Sequence, residues 1–301
     1  MAAPARARPE LEFGAEFLRK LEVLNVIARK IFAGALRADR QSVRKGVSAE
    51  FADHRSYVPG DDFRHVDWHL FGRLEELFLK LYKEEENLHL TLLLDSSLSM
   101  DQGARNKLNY ALQVAAALAY IGMSNMDCVH LLPFDRRLRD NGLWGLKGRG
   151  QVFRLFDYLA RLEPAQHTDL ARSCREFIGK TRQRGIVVVL SDFYDLDGFQ
   201  PGLRYLKFPR HSVYVLHVVD ELEERPDIRG DLRLVDCEAG THREINVTEG
   251  LLARYEDAFG RLARGVESFC VRNEMGYCLA RTAVPFDELV LKILRRGGLV
   301  G

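Results

Sequence analysis

The sequence predicts an α/β protein: a doubly wound, mostly parallel sheet preceded by a small N-terminal helix and a β-rich extension. Short apolar runs of the kind buried strands use occur at 88–94, 127–134, 186–191, 212–219 and 277–281. Segments with helical periodicity separate or follow them, at 106–124, 150–162, 169–182, 198–206, 249–273 and 285–296. Strands alternating with helices pair in parallel through right-handed crossovers. Two of these strands end on an acid, Leu88–Leu94 on Asp95 and Ile186–Ser191 on Asp192. Parallel neighbours would bring both carboxylates to the carboxyl edge of the sheet, where open α/β sheets carry their sites.

From the N-terminus, residues 1–9 read as a tail rich in Ala, Arg and Pro. Leu18, Leu21, Leu24, Ile27 and Ile31 recur at helical spacing, which predicts an amphipathic helix over Glu10–Leu36. A polar, basic loop over 37–50 leads into a block at 51–87 dense in charge and aromatics. Pro59-Gly60 is a turn signal, because Pro presets one turn position and Gly accepts positive φ at the next. Leu77–Tyr82 reads as a strand expected to pair with the one ending at Asp95, with the block packed on the edge of the main domain. Two interruptions, Leu138–Leu146 and Leu232–Val247 around Gly240-Thr241, read as hairpins. The organisation is therefore 1–87, tail, helix and extension, and 88–301, the α/β domain.

Composition narrows the function classes. The chain has 301 residues, 47% hydrophobic and 29% charged, enough for a full core. Lys and Arg number 44 against 43 acids, a balance that argues against a general nucleic-acid binder. The basic residues of the first fifty positions read as a solvated helix face and loop. Cys128, Cys174, Cys237, Cys270 and Cys278 are dispersed with no pair at two-residue spacing, which reads as reduced, mostly buried thiols and indicates no zinc site. The start lacks a secretory core, and no run reaches the roughly 20 apolar residues of a membrane span. A soluble, cytoplasmic protein without membrane insertion is expected.

Asp95-Ser96-Ser97-Leu98-Ser99 puts one carboxylate and hydroxyls at a strand end that opens a helix. Such hard oxygens suit Mg²⁺, Mn²⁺ or Ca²⁺. Thr168, ahead of another helix, and Asp192 complete a candidate set of Asp95, Ser97, Ser99, Thr168 and Asp192. Neutral hydroxyls leave an ion incompletely neutralised, so an open position would favour an incoming carboxylate. The plainer reading is that Ser and Asp cap the following helices. Arg105 and Lys107 read as solvated helix residues, and Cys174, Cys270 and Cys278 as core.

In the extension, Arg55, Tyr57, Gly60, Asp61, Asp62, Arg64, Asp67 and Trp68 form a compact block. Bidentate Arg–carboxylate pairs would fix an otherwise irregular loop. The functional reading is that the block borders the metal site and shares in docking. His65 and His69 are four apart, but the glutamate of a zinc-helix motif is missing, so no metal role is assigned to them.

With these residues in view, Asp95-x-Ser97-x-Ser99 followed by Thr168 and Asp192 resembles the metal-ion-dependent adhesion site of von Willebrand factor A-type domains. That resemblance implies a von Willebrand factor A-like, Rossmann-type fold, with the serines and threonine ligating a divalent ion and the aspartates binding directly or through water. Phe51-x3-Arg55-x-Tyr57-x-Pro59-Gly60-Asp61-Asp62-x-Arg64-x2-Asp67-Trp68, then Leu79-Lys80 and Glu84-x-Glu86, resembles the bacterial domain of unknown function number 58 over roughly residues 40–220. Its members are commonly encoded beside MoxR-type AAA+ ATPases, which implies such an ATPase or its client as partner. Many relatives carry membrane helices ahead of this block and this chain shows none; His167 stands where glycine is common.

Three functions follow as expectations. The first is a non-enzymatic interaction module that grips a partner's acidic residue through the ion. The second is a metal-dependent phosphohydrolase of the aspartyl-phosphate type, but Ser97 stands where its second acid would be and cannot act as acid/base at neutral pH. The third is a metal-free scaffold.

Overall fold

The computed structural model of the chain describes residues 13–39, 51–82, 88–165, 167–181, 183–195, 198–208, 211–236 and 241–295. The chain divides into two compact units, one formed by Met1–Phe32 with Leu88–Gly301 and the other by Ala33–Asn87. Glu84, Glu86, Cys237 and Gly240, singled out from sequence, lie outside the described residues.

In the second unit, β1 (Phe51–Ser56) pairs antiparallel with β2 (Phe78–Tyr82). A single 3-10 turn (Phe63–His65) and α2 (Trp68–Leu74) lie between them. β2 was expected to join the strand ending at Asp95; it pairs with β1 instead. A strand's own pattern does not name its partner, and the intervening chain closes locally through Tyr57 N–H donating to the Leu77 carbonyl at 2.8 Å. The Pro59-Gly60 turn is present, with Gly60 at φ +104° and Asp61 N–H donating to Val58 O at 3.0 Å. α2 was not foreseen. It starts at Asp67, whose Oδ1 accepts from the amides of His69 and Leu70 at 3.0 and 3.2 Å.

Ion pairs hold this loop. Arg55 donates to Asp61 at 2.6 Å, and Asp61 also accepts from Val58 N–H at 3.1 Å. Arg64 forks onto Asp62 through Nε and a terminal nitrogen, at 3.1 and 2.8 Å to Oδ2. Asp67 Oδ2 meets His54 Nε2 at 3.0 Å and Lys80 Nζ at 3.4 Å. Tyr57 is half-buried, while Trp68 is exposed with its ring edge-on to Phe71.

The main unit is built on a six-stranded sheet: β3 (His89–Asp95), β4 (Cys128–Phe134), β5 (Leu143–Leu146), β6 (Ile186–Ser191), β7 (Ser212–Val219) and β10 (Gly276–Arg281). Its order is β10-β7-β6-β3-β4-β5, parallel except for β5 at the edge. The Leu138–Leu146 segment therefore extends the sheet as an edge strand, beyond a simple hairpin. β8 (Gly230–Val235) and β9 (His242–Val247) form the second expected hairpin. The chain winds outward from β3 to β5, returns to β6, and winds the other way, so the order reverses between β3 and β6. Crevices form at such points.

Alternation along each strand feeds two cores. Leu90, Leu92 and Leu94 join Val188, Leu190 and Leu216 on one face. Leu93 joins Val187, Val189 and Val215 on the other. The first face is covered by α1 (Ala15–Asp39), α3 (Lys107–Ser124), α4 (Val152–Ala160) and α9 (Phe286–Arg295). The second is covered by α5 (Leu170–Lys180), α6 (Gln200–Lys207) and α8 (Glu249–Arg272). A four-residue helix, α7 (Glu221–Glu224), follows β7. The helix placed with the extension from sequence sends Phe17, Leu21, Leu24 and Ala28 into the first core, because its apolar stripe needs a surface that a two-stranded sheet does not supply.

Leu21 is fully buried, so Leu21→Ala should cost about 2–5 kcal/mol in urea denaturation of the main unit. An unchanged midpoint would detach α1 from the core. In the extension, the hydrogen bond from His54 lowers the Asp67 carboxyl from 3.8 to about 2, assisted by the helix amides and Lys80. A depressed carboxyl stabilises above its unfolded value, and that contribution disappears as pH falls from about 4 towards 2. Acid titration followed by the NMR signals of Trp68 should show loosening in that window. Asp67→Asn, which keeps a capping side chain, should remove the dependence.

Candidate metal centre

Three loops at the carboxyl edge converge beside the reversal between β3 and β6. Asp95 ends β3 and is fully buried, as are Ser97 and, to within 1%, Asp192. Ser97 N–H donates to Asp95 Oδ1 at 3.0 Å. The Thr168 hydroxyl lies 3.2 and 3.1 Å from the two Asp95 oxygens and donates to them. Ser97 Oγ and Ser99 Oγ stand 3.0 Å apart. Four of the expected residues thus form one hydrogen-bonded set. The fifth, Asp192, is near enough for its charge to act on Asp95.

Backbone ties hold the loops in place. Ser96 donates through both its amide and its hydroxyl to the Phe134 carbonyl, at 2.8 and 2.9 Å, which fastens the oxygen loop to β4. Ala165 N–H donates back to Ser96 O at 2.9 Å and Asp169 N–H to Asp135 O at 3.0 Å, which positions Thr168. Asp169 then caps α5 by accepting from Arg172 N–H at 2.8 Å. Past β6, buried Phe193 adopts φ +58°, with its amide donating to Ser191 Oγ at 3.0 Å. A left-handed residue of this size costs on the order of 1–3 kcal/mol, offset here by packing against Phe199 and His217.

Sequence reasoning missed three participants. The Ser191 hydroxyl donates to Asp95 Oδ2 at 2.6 Å; its position at the end of β6 beside β3 was the available signal. Lys107 was read as solvated and is fully buried. Its Nζ donates to Asp192 Oδ2 at 2.7 Å and to Glu223 Oε1 at 2.6 Å, and stands 4.9 Å from the Tyr194 ring centre. The reason is that every residue of α3 except Gln113 is buried, so Lys107 has no solvent face to turn to. Glu223 arrives through α7, where it completes a capping box with Asp220. Arg105 is exposed as expected, and reaches the Ala283 carbonyl at 3.1 Å.

The electrostatics follow from burial. Loss of water raises the Asp95 carboxyl well above the ordinary carboxylate range, the Asp192 charge adds to this, and hydrogen bonds from Ser191 and Ser97 oppose it. Burial pulls the Lys107 ammonium towards neutrality, but Asp192 and Glu223 outweigh it and hold the group above its ordinary value. Burial likewise raises Glu223 against the pull of Lys107. The donor set fits a hard cation. Adjacent oxygens of an octahedral ion with bonds of about 2.1 Å lie about 3.0 Å apart, the spacing of the two serine hydroxyls. Lys107 is the competing cation, since it already occupies one oxygen of Asp192.

The uncharacterized protein Rv1480 of Mycobacterium tuberculosis is 27% identical over 261 residues, covering 85% of this chain and 80% of the relative. Among solved structures, an aerotolerance-related membrane protein from Bacteroides fragilis aligns over 70% of this chain and 98% of its own, at 16% identity and TM-score 0.43. An uncharacterized membrane spanning protein from Vibrio fischeri aligns over 69% of this chain and 98% of its own, at 14% identity and TM-score 0.22. These descriptions overturn the cytoplasmic expectation, which is withdrawn. They remain descriptions of those proteins; among the described residues here, no helix is long and apolar enough to cross a membrane. A family model, protein of unknown function DUF58, matches residues 53–263, and the chain belongs to that family.

Proposed function

We propose that this chain is a non-enzymatic interaction module that binds an acidic residue of a protein partner through a divalent cation, Mg²⁺ or alternatively Mn²⁺ or Ca²⁺. Asp95, Ser97, Ser99, Thr168 and Asp192 would hold the ion, in the manner of the von Willebrand factor A-type site they resemble. When bound, the ion supplies an incompletely neutralised positive charge that attracts a carboxylate. The observation that carries the reading is a buried carboxylate touched by the Ser97 amide and the Thr168 hydroxyl, with the Ser97 hydroxyl in turn 3.0 Å from that of Ser99. The residue two beyond Asp95 is a serine, which cannot act as acid/base at neutral pH, and this speaks against phosphoryl chemistry. The partner implied by resemblance is a MoxR-type AAA+ ATPase or its client, with this chain as adaptor. Arg55, Tyr57, Gly60, Asp61, Asp62, Arg64, Asp67 and Trp68 would contribute a rigid docking block of their own.

The Lys107–Asp192 pair supports a second reading, a metal-free scaffold in which the ammonium stands permanently for the ion. Thermal melting separates the two. Wild type should melt higher in millimolar Mg²⁺ or Mn²⁺ than in EDTA, by about 2–4 °C for each kcal/mol of binding, and Asp95→Ala should not respond. No shift in wild type would sink the metal reading. Lys107→Met leaves Asp192 and Glu223 without their cation and should cost about 3–5 kcal/mol in EDTA. Under the metal reading, Mg²⁺ should recover more stability in this variant than in wild type; equal responses would favour the scaffold. Co-purification of a MoxR-type ATPase that EDTA abolishes would support the adaptor role.

A further inference from the structure

At the opposite edge of the sheet a cluster of different chemistry occurs. His89 opens β3, and Cys128 and His130 lie on β4, with His89 in parallel register beside Cys128. His89 Nδ1 and His130 Nε2 are 3.2 Å apart, Cys128 Sγ and His130 Nε2 are 3.8 Å apart, and all three ligand atoms fall within 4.8 Å of one another. We propose that His89, Cys128 and His130 form a second metal site, for a borderline transition ion of the Zn²⁺ type, independent of the hard-oxygen site.

The distances carry the argument. A tetrahedral ion with bonds of about 2.0–2.1 Å to nitrogen and about 2.3 Å to sulfur places its ligands about 3.3 Å (N to N) and about 3.6 Å (N to S) apart. The two gaps at His130 Nε2 lie within a few tenths of an ångström of these edges, and the His89–Cys128 edge is no longer than 4.8 Å. One thiolate and two imidazoles are a borderline donor set, distinct from the oxygens at Asp95. Three protein ligands leave a fourth position, and half-exposed His89 and Cys128 open it to solvent while His130 is buried. The rise of β3 alone, about 3.3 Å per residue over its length, separates this cluster from Asp95 by about 20 Å.

Proton occupancy sets the terms of binding. Burial lowers both His89 and His130, the latter to about 4, so both rings are neutral near pH 7. His130 Nδ1 accepts from Gly145 N–H at 3.0 Å, so Nε2 carries the ring proton, which points into the gap the ion would fill. Metal uptake moves that proton to Nδ1, releases the Cys128 thiol proton to solvent, and requires the Gly145 amide to turn away. Gly145 lies on edge strand β5 at φ +69°.

The test is Co²⁺ titration of the purified full chain. Wild type should develop a thiolate-to-cobalt charge-transfer band with tetrahedral d–d absorption, displaced by Zn²⁺ and untouched by Mg²⁺. Cys128→Ser should lose the band, and His89→Gln should weaken binding by about 10–100-fold. Asp95→Ala should retain the full spectrum. Absence of the band in wild type, or its persistence in Cys128→Ser, would overturn the proposal, and the wild-type spectrum decides even if a variant misfolds.

Discussion

The main unit depends on how it keeps charge out of water at the carboxyl edge. Asp95, Asp192 and Lys107 are all withdrawn from solvent, and each would be costly alone. They are tolerated because every charged atom has a directed partner: Asp95 takes hydrogens from Ser97, Thr168 and Ser191, and Lys107 divides itself between Asp192 and Glu223. The groups that supply these partners stand after or at the ends of β3, β6 and β7 or ahead of α5, so satisfying the two buried carboxylates and the lysine ties four connections together. The strained conformation at Phe193 belongs to the same constraint, since its amide holds the serine that holds Asp95.

The edge is therefore short of neither order nor positive charge, yet remains adjustable. The Lys107 ammonium satisfies one oxygen of Asp192, while the Ser97 and Ser99 hydroxyls stand 3.0 Å apart beside Asp95. A divalent ion would draw on the hydroxyls first and compete with the lysine for Asp192. On the proposed reading the site would balance an internal cation against an external one.

Much of this was legible in the sequence because buried parallel strands announce themselves. β3, β4, β6, β7 and β10 fall within about a residue of their expected ranges, and Asp95 and Asp192 emerge at one edge as the strand pattern required. What failed was partnership. The alternation in β2 carried no information on its neighbour, and only local closure around Pro59-Gly60 brings it to β1. Lys107 was misjudged because charge was weighed without asking whether its helix had a wet side. The His89–Cys128–His130 cluster escaped notice because cysteine spacing was counted along the chain, whereas the third ligand comes from the neighbouring strand.

α3 has a consequence for how the chain can drift in sequence. With nearly every side chain enclosed, the helix lies so close to the sheet that a methyl group on Gly122 would meet Val129 at 2.9 Å and Leu90 at 3.1 Å. A larger residue there is admissible only if a strand residue shrinks in compensation, and the converse exchange leaves a void. Substitutions along this helix should therefore accumulate in matched sets with β3 and β4, so that its inheritance is collective where that of a surface helix is piecemeal.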